Sequence, residues 1–166
     1  MDKIKGRAII TYGRSLMAVV IAHSLSKRGI EVISCDSIGM TAASFSKHTI
    51  DNFIHADPEE DLEQYLHDLE TQITAHKPKD DCPYLLIPTF RDAKLLSKYH
   101  TRLDNLITLA VTDFDIIDRI DPKHHLFKTV EHLNLPAPKG WHPSSQKEVI
   151  EAMREIQLPA LIKAVD

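Results

Sequence analysis

The sequence is poor in cysteine and in aromatic residues, and it has no excess of positive charge. Of its 166 residues two are cysteines and 6% are aromatic, while Lys plus Arg number 20 against 24 for Asp plus Glu. The separation of Cys35 from Cys82 excludes a CxxC device, and two cysteines exclude a disulfide-stapled scaffold, so we interpret both as buried thiols in a reducing compartment. The net charge of −4 argues against a nucleic-acid coat and a polybasic membrane binder.

Long apolar runs and a secretory signal are also missing. The apolar run Leu16–Ala22 is far shorter than the roughly 20 residues of a membrane span, and the start Met1-Asp2-Lys3 lacks the apolar region of a signal peptide. We therefore expect a cytoplasmic protein that binds neither membrane nor nucleic acid. At 43% hydrophobic residues, the composition is that of an ordinary globular domain with its own core.

The N-terminal part alternates between strand and helix patterns. Apolar, β-rich runs occupy Arg7–Thr11 and Ile30–Cys35. Between them, apolar residues from Leu16 to Leu25 predict a helix that Gly29 ends. A strand, helix and strand at this spacing predict a parallel pair with a right-handed connection.

A second helix is signalled by its cap and its apolar stripe. Asp57 with Pro58 predicts the helix start, and Glu60 completes a capping box. The stripe then runs from Leu62 to Ile73 with helical spacing.

The alternation continues to about residue 111. Further elements are predicted in the order strand, helix and strand, over residues 84–89, 92–99 and 106–111. We therefore predict an α/β fold for residues 1–118, with a Rossmann-like, open, mainly parallel sheet and helices on both faces.

The pattern changes in residues 119–166. A helix opens at Asp121-Pro122, and the segment Leu135-Pro-Ala-Pro138 closes it. Ser145 then caps another helix, with Glu148 at the third position, and a strand is predicted over Leu158–Lys163. We assign this region to a second, partial α+β unit.

The turn after the first strand suits an anion. Gly13, Arg14 and Ser15 stand where a helix N-terminus presents unpaired N–H groups. The pattern Gly13-x-Ser15-x-x-Ala18 with Asp36 resembles an incomplete dinucleotide fingerprint. Two interpretations stay open: a tight strand-to-helix turn with Asp36 as a loop cap, which is the more typical, and an NAD site, which the missing glycines disfavour.

Other chemical motifs are scarce. No GxxxxGK[ST] run is present, which excludes a P-loop, and no HExxH or cysteine spacing accompanies the ten histidines. We assign no metal ligands and no catalytic residues. Lys163 lies in an apolar run, where its ammonium either reaches water at a sheet edge or contacts a phosphate.

The order of these segments resembles the N-terminal part of the ATP-grasp enzymes, especially the carbamoyl-phosphate-synthase-like carboxylate–amine ligases. The resemblance rests on the α/β unit, the helix start Asp121-x-Lys123, the turn ending at Pro138, the capped helix and Pro159-Ala-Leu-Ile-Lys163. Pro122, Asn134 and Ala164 depart from the family pattern.

The resemblance implies a function and a set of site residues. Lys123 and Lys163 would contact the phosphates of ATP, and the turns containing Gly13, Arg14, Ser15, Thr89 and Arg91 would face the acceptor substrate. Magnesium–ATP would phosphorylate a small-molecule carboxylate, and an amine or thiol would displace the phosphate. The family's magnesium ligands lie in a later C-terminal subdomain, so we expect this chain to be part of a longer ligase. We further expect it to be inactive and without tightly bound cofactor in isolation, and we allow for a homodimer. The alternative is a non-catalytic Rossmann-like binding or regulatory module.

Overall fold

The computed structural model describes residues 4–156 and 158–162. The chain forms two compact units, Met1–Thr112 and Asp113–Asp166. This division falls slightly before the boundary predicted after residue 118. Within the described residues, no helix is both long and apolar enough to cross a membrane.

The first unit is built on a five-stranded parallel sheet. Its strands are β1 (Gly6–Ile10), β2 (Ile30–Asp36), β3 (Asp51–Ile54), β4 (Tyr84–Ile87) and β5 (Thr108–Leu109). They are ordered β3-β2-β1-β4-β5, and every neighbouring pair is parallel. The α/β fold with an open parallel sheet is thus confirmed.

Three helices cover both faces of this sheet: α1 (Leu16–Ser26), α2 (Leu62–Ala75) and α3 (Arg91–Lys98). On one face α1 packs Ala18 and Ala22 against Ile10 and Val32. On the other face the buried side chains of α2 and α3 pack against those of β1, β2 and β4. Successive residues of a strand point to opposite faces, so each central strand contributes to two cores.

The predicted start of α2 was wrong by one turn. The helix begins at Leu62, because the side chain of Asp61 accepts a hydrogen bond from the Gln64 N–H at 2.9 Å. Asp57 instead stabilises the preceding turn, where its carboxylate accepts from the Glu59 N–H at 3.0 Å. Both aspartates are adequate caps by residue type, and the turn between them decides which one starts the helix.

Strands at the sheet edges differed most from expectation. β3 was not predicted, because only Phe53 of its four residues is buried and no alternating pattern results. β5 is confined to Thr108–Leu109, although the apolar run is longer. β4 ends at Ile87, before Pro88, which has no N–H to donate.

The second unit contains α4 (Phe114–Asp118), α5 (Lys123–His132) and α6 (Gln146–Glu155). The predicted cap of α6 is confirmed: Ser145 accepts from the Glu148 N–H, and the Glu148 carboxylate accepts from the Ser144 N–H at 2.9 Å. α4 was not predicted. The strand expected over Leu158–Lys163 does not form across 158–162, where no neighbouring strand pairs with it among the described residues, and Lys163 itself lies outside them.

Candidate functional site

The carboxyl ends of β1, β2 and β4 meet at one edge of the sheet. β1 lies between β2 and β4, and the chain leaves β1 toward β2 but reaches β4 only after β3. The connections therefore diverge between β1 and β4, which is where open α/β sheets form a crevice for ligands. The predicted substrate-side residues lie in the turns at this edge, except Arg91, which is the first residue of α3.

The turn between β1 and α1 is fixed by close backbone packing. The Gly13 N–H donates to the Cys35 carbonyl at 3.0 Å, and a Cβ on Gly13 would lie 3.0 Å from the Thr41 hydroxyl oxygen. A side chain here would press against Thr41, so glycine suits this close approach. Ser15 caps α1 by accepting from the Met17 N–H at 3.1 Å. Both residues thus shape the turn.

Arg14, which is partly exposed, forms an ion pair with the buried Asp36 behind this turn. Asp36 is 3% exposed, and its carboxylate accepts from the Arg14 backbone N–H at 2.8 Å and from Nε at 2.9 Å. Burial by itself raises the pKa of Asp36, but the hydrogen bonds and charge of Arg14 outweigh burial and hold the pKa below its ordinary value. Both carboxylate oxygens engage Arg14. This geometry favours the loop-cap interpretation of Asp36 over a ribose contact in an NAD site.

The turn after β4 is tied to the end of β1. The Thr89 N–H donates to the Thr11 hydroxyl at 3.1 Å, and the Thr89 hydroxyl donates to the Thr11 carbonyl at 2.8 Å. Thr89 is therefore used in holding the two strand ends together. Arg91 follows it and pairs with Glu59 at 2.8 Å, with both side chains at least 70% exposed. Exposed pairs of this kind contribute about 0–1 kcal/mol, so Arg91 can exchange its partner.

A cluster of buried polar side chains beneath this edge was not predicted. Asp92 is buried and hydrogen-bonds Thr11, and burial raises the pKa of Asp92. The rings of His55 and Tyr65 meet edge-on at 4.8 Å. His55 Nε2, the Tyr65 hydroxyl and the Ser34 hydroxyl are buried without a hydrogen-bond partner among the described residues. These residues come from separate elements, so no local sequence pattern announces the cluster.

Two aromatic residues at the edge were also missed. Tyr12 follows β1 and Phe90 follows β4, and both have positive φ, at 55° and 54°. Their rings lie 5.3 Å apart between centres. Sequence does not reveal non-glycine residues in this conformation, because glycine is the residue that normally marks it.

The residues predicted to bind ATP lie apart from this edge in the sequence. Lys123 is exposed in the first turn of α5, within the second unit. Lys163 is outside the described residues, so no geometry bears on its predicted role. No group of three or more His, Cys, Asp or Glu side chains suited to a metal ion occurs in the part of the chain that the structure describes.

Comparison with solved structures identifies the same fold in larger enzymes. An ADP complex of N5-carboxyaminoimidazole ribonucleotide synthetase matches 96% of this chain with a TM-score of 0.62 and 14% identity. The Staphylococcus aureus synthetase, also with ADP, matches 91% with a TM-score of 0.57 and 13% identity. The biotin carboxylase domain of Hydrogenobacter thermophilus 2-oxoglutarate carboxylase, a dimer with MgADP, ADP and bicarbonate, matches 92% with a TM-score of 0.56 and 14% identity.

The shared feature is the fold, an α/β unit built on an open parallel sheet. This chain spans 38%, 36% and 33% of the three neighbours, in the order given above. No protein-family model matches the sequence, and no curated protein matches it.

Proposed function

We propose that this chain is the N-terminal portion of an ATP-grasp ligase that converts a carboxylate to an acyl phosphate with Mg·ATP and joins it to an amine or thiol. The observation that carries the proposal is the fold match over 96% of the chain to a synthetase bound to ADP. The order of motifs that resembles the carbamoyl-phosphate-synthase-like ligases supports the same assignment. We place the enzyme in the cytoplasm, with a homodimer as an admissible assembly.

The proposal gives the two lysines the same task. Lys123 and Lys163 neutralise charge on the ATP phosphates, because phosphoryl transfer depends mainly on positioning and charge stabilisation. In support, Lys123 is exposed in the first turn of α5.

The substrate-side residues divide by their contacts. The turns are held in shape by Gly13, Ser15 and Thr89. The side chain of Arg14 is ion-paired with Asp36. Arg91 is the cation whose partner is exposed, so we assign it to the acceptor carboxylate or to another negative group of that substrate.

Magnesium is not assigned to residues of this chain. The described residues contain no suitable cluster of ligands, and hard cations such as Mg²⁺ require oxygen donors. We therefore place the magnesium ligands in the remaining part of the ligase and expect the 166-residue chain alone to hydrolyse no ATP. Micromolar binding of Mg·ATP by this chain in calorimetry would contradict that expectation.

Carboxylate-dependent ADP formation tests the proposed function. The full-length gene product is incubated with Mg·ATP and a panel of small carboxylates, and hydroxylamine is added to trap acyl phosphate as a hydroxamate. We expect ADP and hydroxamate to appear together with at least one carboxylate. Neither product with any carboxylate would favour the non-catalytic binding module, for which the internally satisfied Arg14–Asp36 pair is the supporting observation.

Lysine variants test which residues contact the phosphates of ATP. Lys123→Ala should slow ADP formation about a hundredfold, the usual effect of removing a positioned charge from a transition state, and Lys163→Ala should do the same. Lys128→Ala, on the same helix α5 and also exposed, is the matched control and should retain activity. Equal rates in Lys123→Ala and Lys128→Ala would refute the role of Lys123.

A further inference from the structure

The edge between β1 and β4 presents aromatic and apolar side chains beside its arginines. Phe90 is 59% exposed and lies in the turn after β4. Its ring centre is 5.3 Å from that of Tyr12, with an interplanar angle of 30°. Leu16 and Met17, in the first turn of α1, are exposed as well, at 75% and 47%.

Each ring is paired with an arginine. The guanidinium carbon of Arg14 lies 5.1 Å from the centre of the Tyr12 ring, and that of Arg91 lies 5.9 Å from the centre of the Phe90 ring. The first arginine is locked to buried Asp36, whereas the second pairs with exposed Glu59. The Tyr12 ring is therefore held by an arginine that is itself fixed, whereas Phe90 and Arg91 are exposed to solvent.

Phe90 occupies its position against local preference. Its backbone has φ 54° and ψ −124°, a conformation that glycine adopts readily and other residues do not. Burial does not compensate for this, since more than half of the side chain is exposed. A ligand that contacts the ring would account for phenylalanine, rather than glycine, at this strained and exposed position.

We infer that this aromatic platform, defined as Tyr12, Phe90 and Arg91, binds a small carboxylate that carries an aromatic or other planar ring. The ring stacks on Phe90, and a negative group pairs with Arg91 in place of Glu59. This inference rests on the proposed function for the chemistry that follows binding. It names the class of acceptor: a planar, partly apolar acid rather than a sugar phosphate.

Binding of simple probes to the 166-residue chain tests the inference. The probes are 3-phenylpropionate, propionate and ribose 5-phosphate, and their affinities are measured by calorimetry or by NMR titration. We expect 3-phenylpropionate to bind about tenfold more tightly than propionate, the ratio that stacking and cation–π contacts supply. Equal affinities for 3-phenylpropionate and propionate, tighter binding of ribose 5-phosphate, or no binding of 3-phenylpropionate would overturn it.

A glycine substitution at Phe90 distinguishes loss of the ring from loss of the fold. Phe90→Gly removes the ring and suits the local φ, so the chain should keep its stability while losing the tenfold preference. Phe45→Ala, at an exposed phenylalanine between β2 and β3, is the matched control and should bind like wild type. Arg91→Gln should weaken binding of 3-phenylpropionate about tenfold without changing the preference for a ring. Unchanged binding in Phe90→Gly would overturn the inference.

The binding experiment and the activity experiment fail separately. Selective binding of 3-phenylpropionate without carboxylate-dependent ADP formation by the gene product would refute the proposed ligase function and support the inferred role of the aromatic platform. ADP formation that depends only on carboxylates without a ring, together with no binding of 3-phenylpropionate, would refute the role of the aromatic platform and support the ligase function.

Discussion

The helices α2 and α6 have similar amphipathic patterns but different surroundings. In α2 the apolar stripe of Tyr65, Leu66, Leu69 and Ile73 is fully buried against the sheet. In α6 the stripe of Val149, Ile150 and Met153 is exposed. The same contrast holds for the two units: the first contains all the buried residues, and no described residue of the second is buried. Periodicity predicts an apolar face without predicting what covers it.

This contrast bears on function. The first unit forms its core from its own residues and holds the edge between β1 and β4 in a defined geometry. The second unit carries Lys123 on a helix without buried residues. Under the proposed function, the edge assigned to the substrate is preorganised within this chain, whereas only Lys123 of the two lysines assigned to the nucleotide lies among the described residues.

Core truncation should give the largest effect and the clearest separation of the two units. Leu86 is fully buried in the interior strand β4, while Met153 is 69% exposed on α6. We expect Leu86→Ala to lower the free energy of unfolding by about 2–5 kcal/mol and Met153→Ala to change it by less than about 0.5 kcal/mol. Urea unfolding followed by circular dichroism measures both. A large loss in Met153→Ala would break the contrast between the units.

Removal of Arg14 tests the ion pair that holds the turn after β1. Arg14→Met leaves Asp36 buried without its partner, which should cost about 2–3 kcal/mol near neutral pH. We choose the low end because the Arg14 side chain is 37% exposed. Since the folded-state pKa of Asp36 lies below its ordinary value of 3.8, the pair contributes above that pH, and its contribution disappears as the pH falls through the folded-state pKa.

Unfolding measured against pH supplies the control for this variant. The difference between wild type and Arg14→Met should be largest near neutral pH and should shrink as the pH falls, because burial without Arg14 raises the pKa of Asp36 in the variant. A difference that persists unchanged at the acidic end would show that lost packing, rather than the ion pair, is responsible.

Asp92 should behave in the opposite way, with a smaller effect. Burial raises the pKa of Asp92 above 3.8, so the contribution of this carboxyl to stability is greatest while it is protonated and is lost as the pH rises through the folded-state pKa. Asp92→Asn imitates the protonated form. It should be at least as stable as wild type at neutral pH, as measured by urea unfolding, and gain no advantage in acid. A clear loss of stability at neutral pH would mean that the charged carboxylate is required.

The sequence predicted the parts of the fold that depend on local pattern. Apolar spacing and cap residues predicted β1, α1, β2 and the Ser145 cap of α6, and all are present. β3 escaped prediction because one buried residue gives no period. The start of α2 was misplaced because Asp57 and Asp61 are equivalent as caps until the intervening turn is seen.

The site was predictable only where the type of a residue and its place at a strand end indicate its role. The strand-end turns containing Gly13 and Thr89 lie at the expected edge, and Asp36 is a cap as the typical interpretation held. The aromatic platform and the Asp92 cluster were not predicted. They depend on which loops the strand order brings together and on backbone angles that residue type does not reveal.

Oxygen transfer from the carboxylate tests the proposed chemistry most directly. The gene product is given Mg·ATP, an amine or thiol and an acceptor acid labelled with ¹⁸O in its carboxylate. In an acyl phosphate the carboxylate oxygen bonds to phosphorus, and attack of the amine or thiol on the carbonyl carbon releases that oxygen with phosphate. We expect ¹⁸O in the inorganic phosphate, detected by mass spectrometry, with ADP unlabelled. Coupled product accompanied by unlabelled phosphate, or by ¹⁸O in AMP, would contradict the proposal.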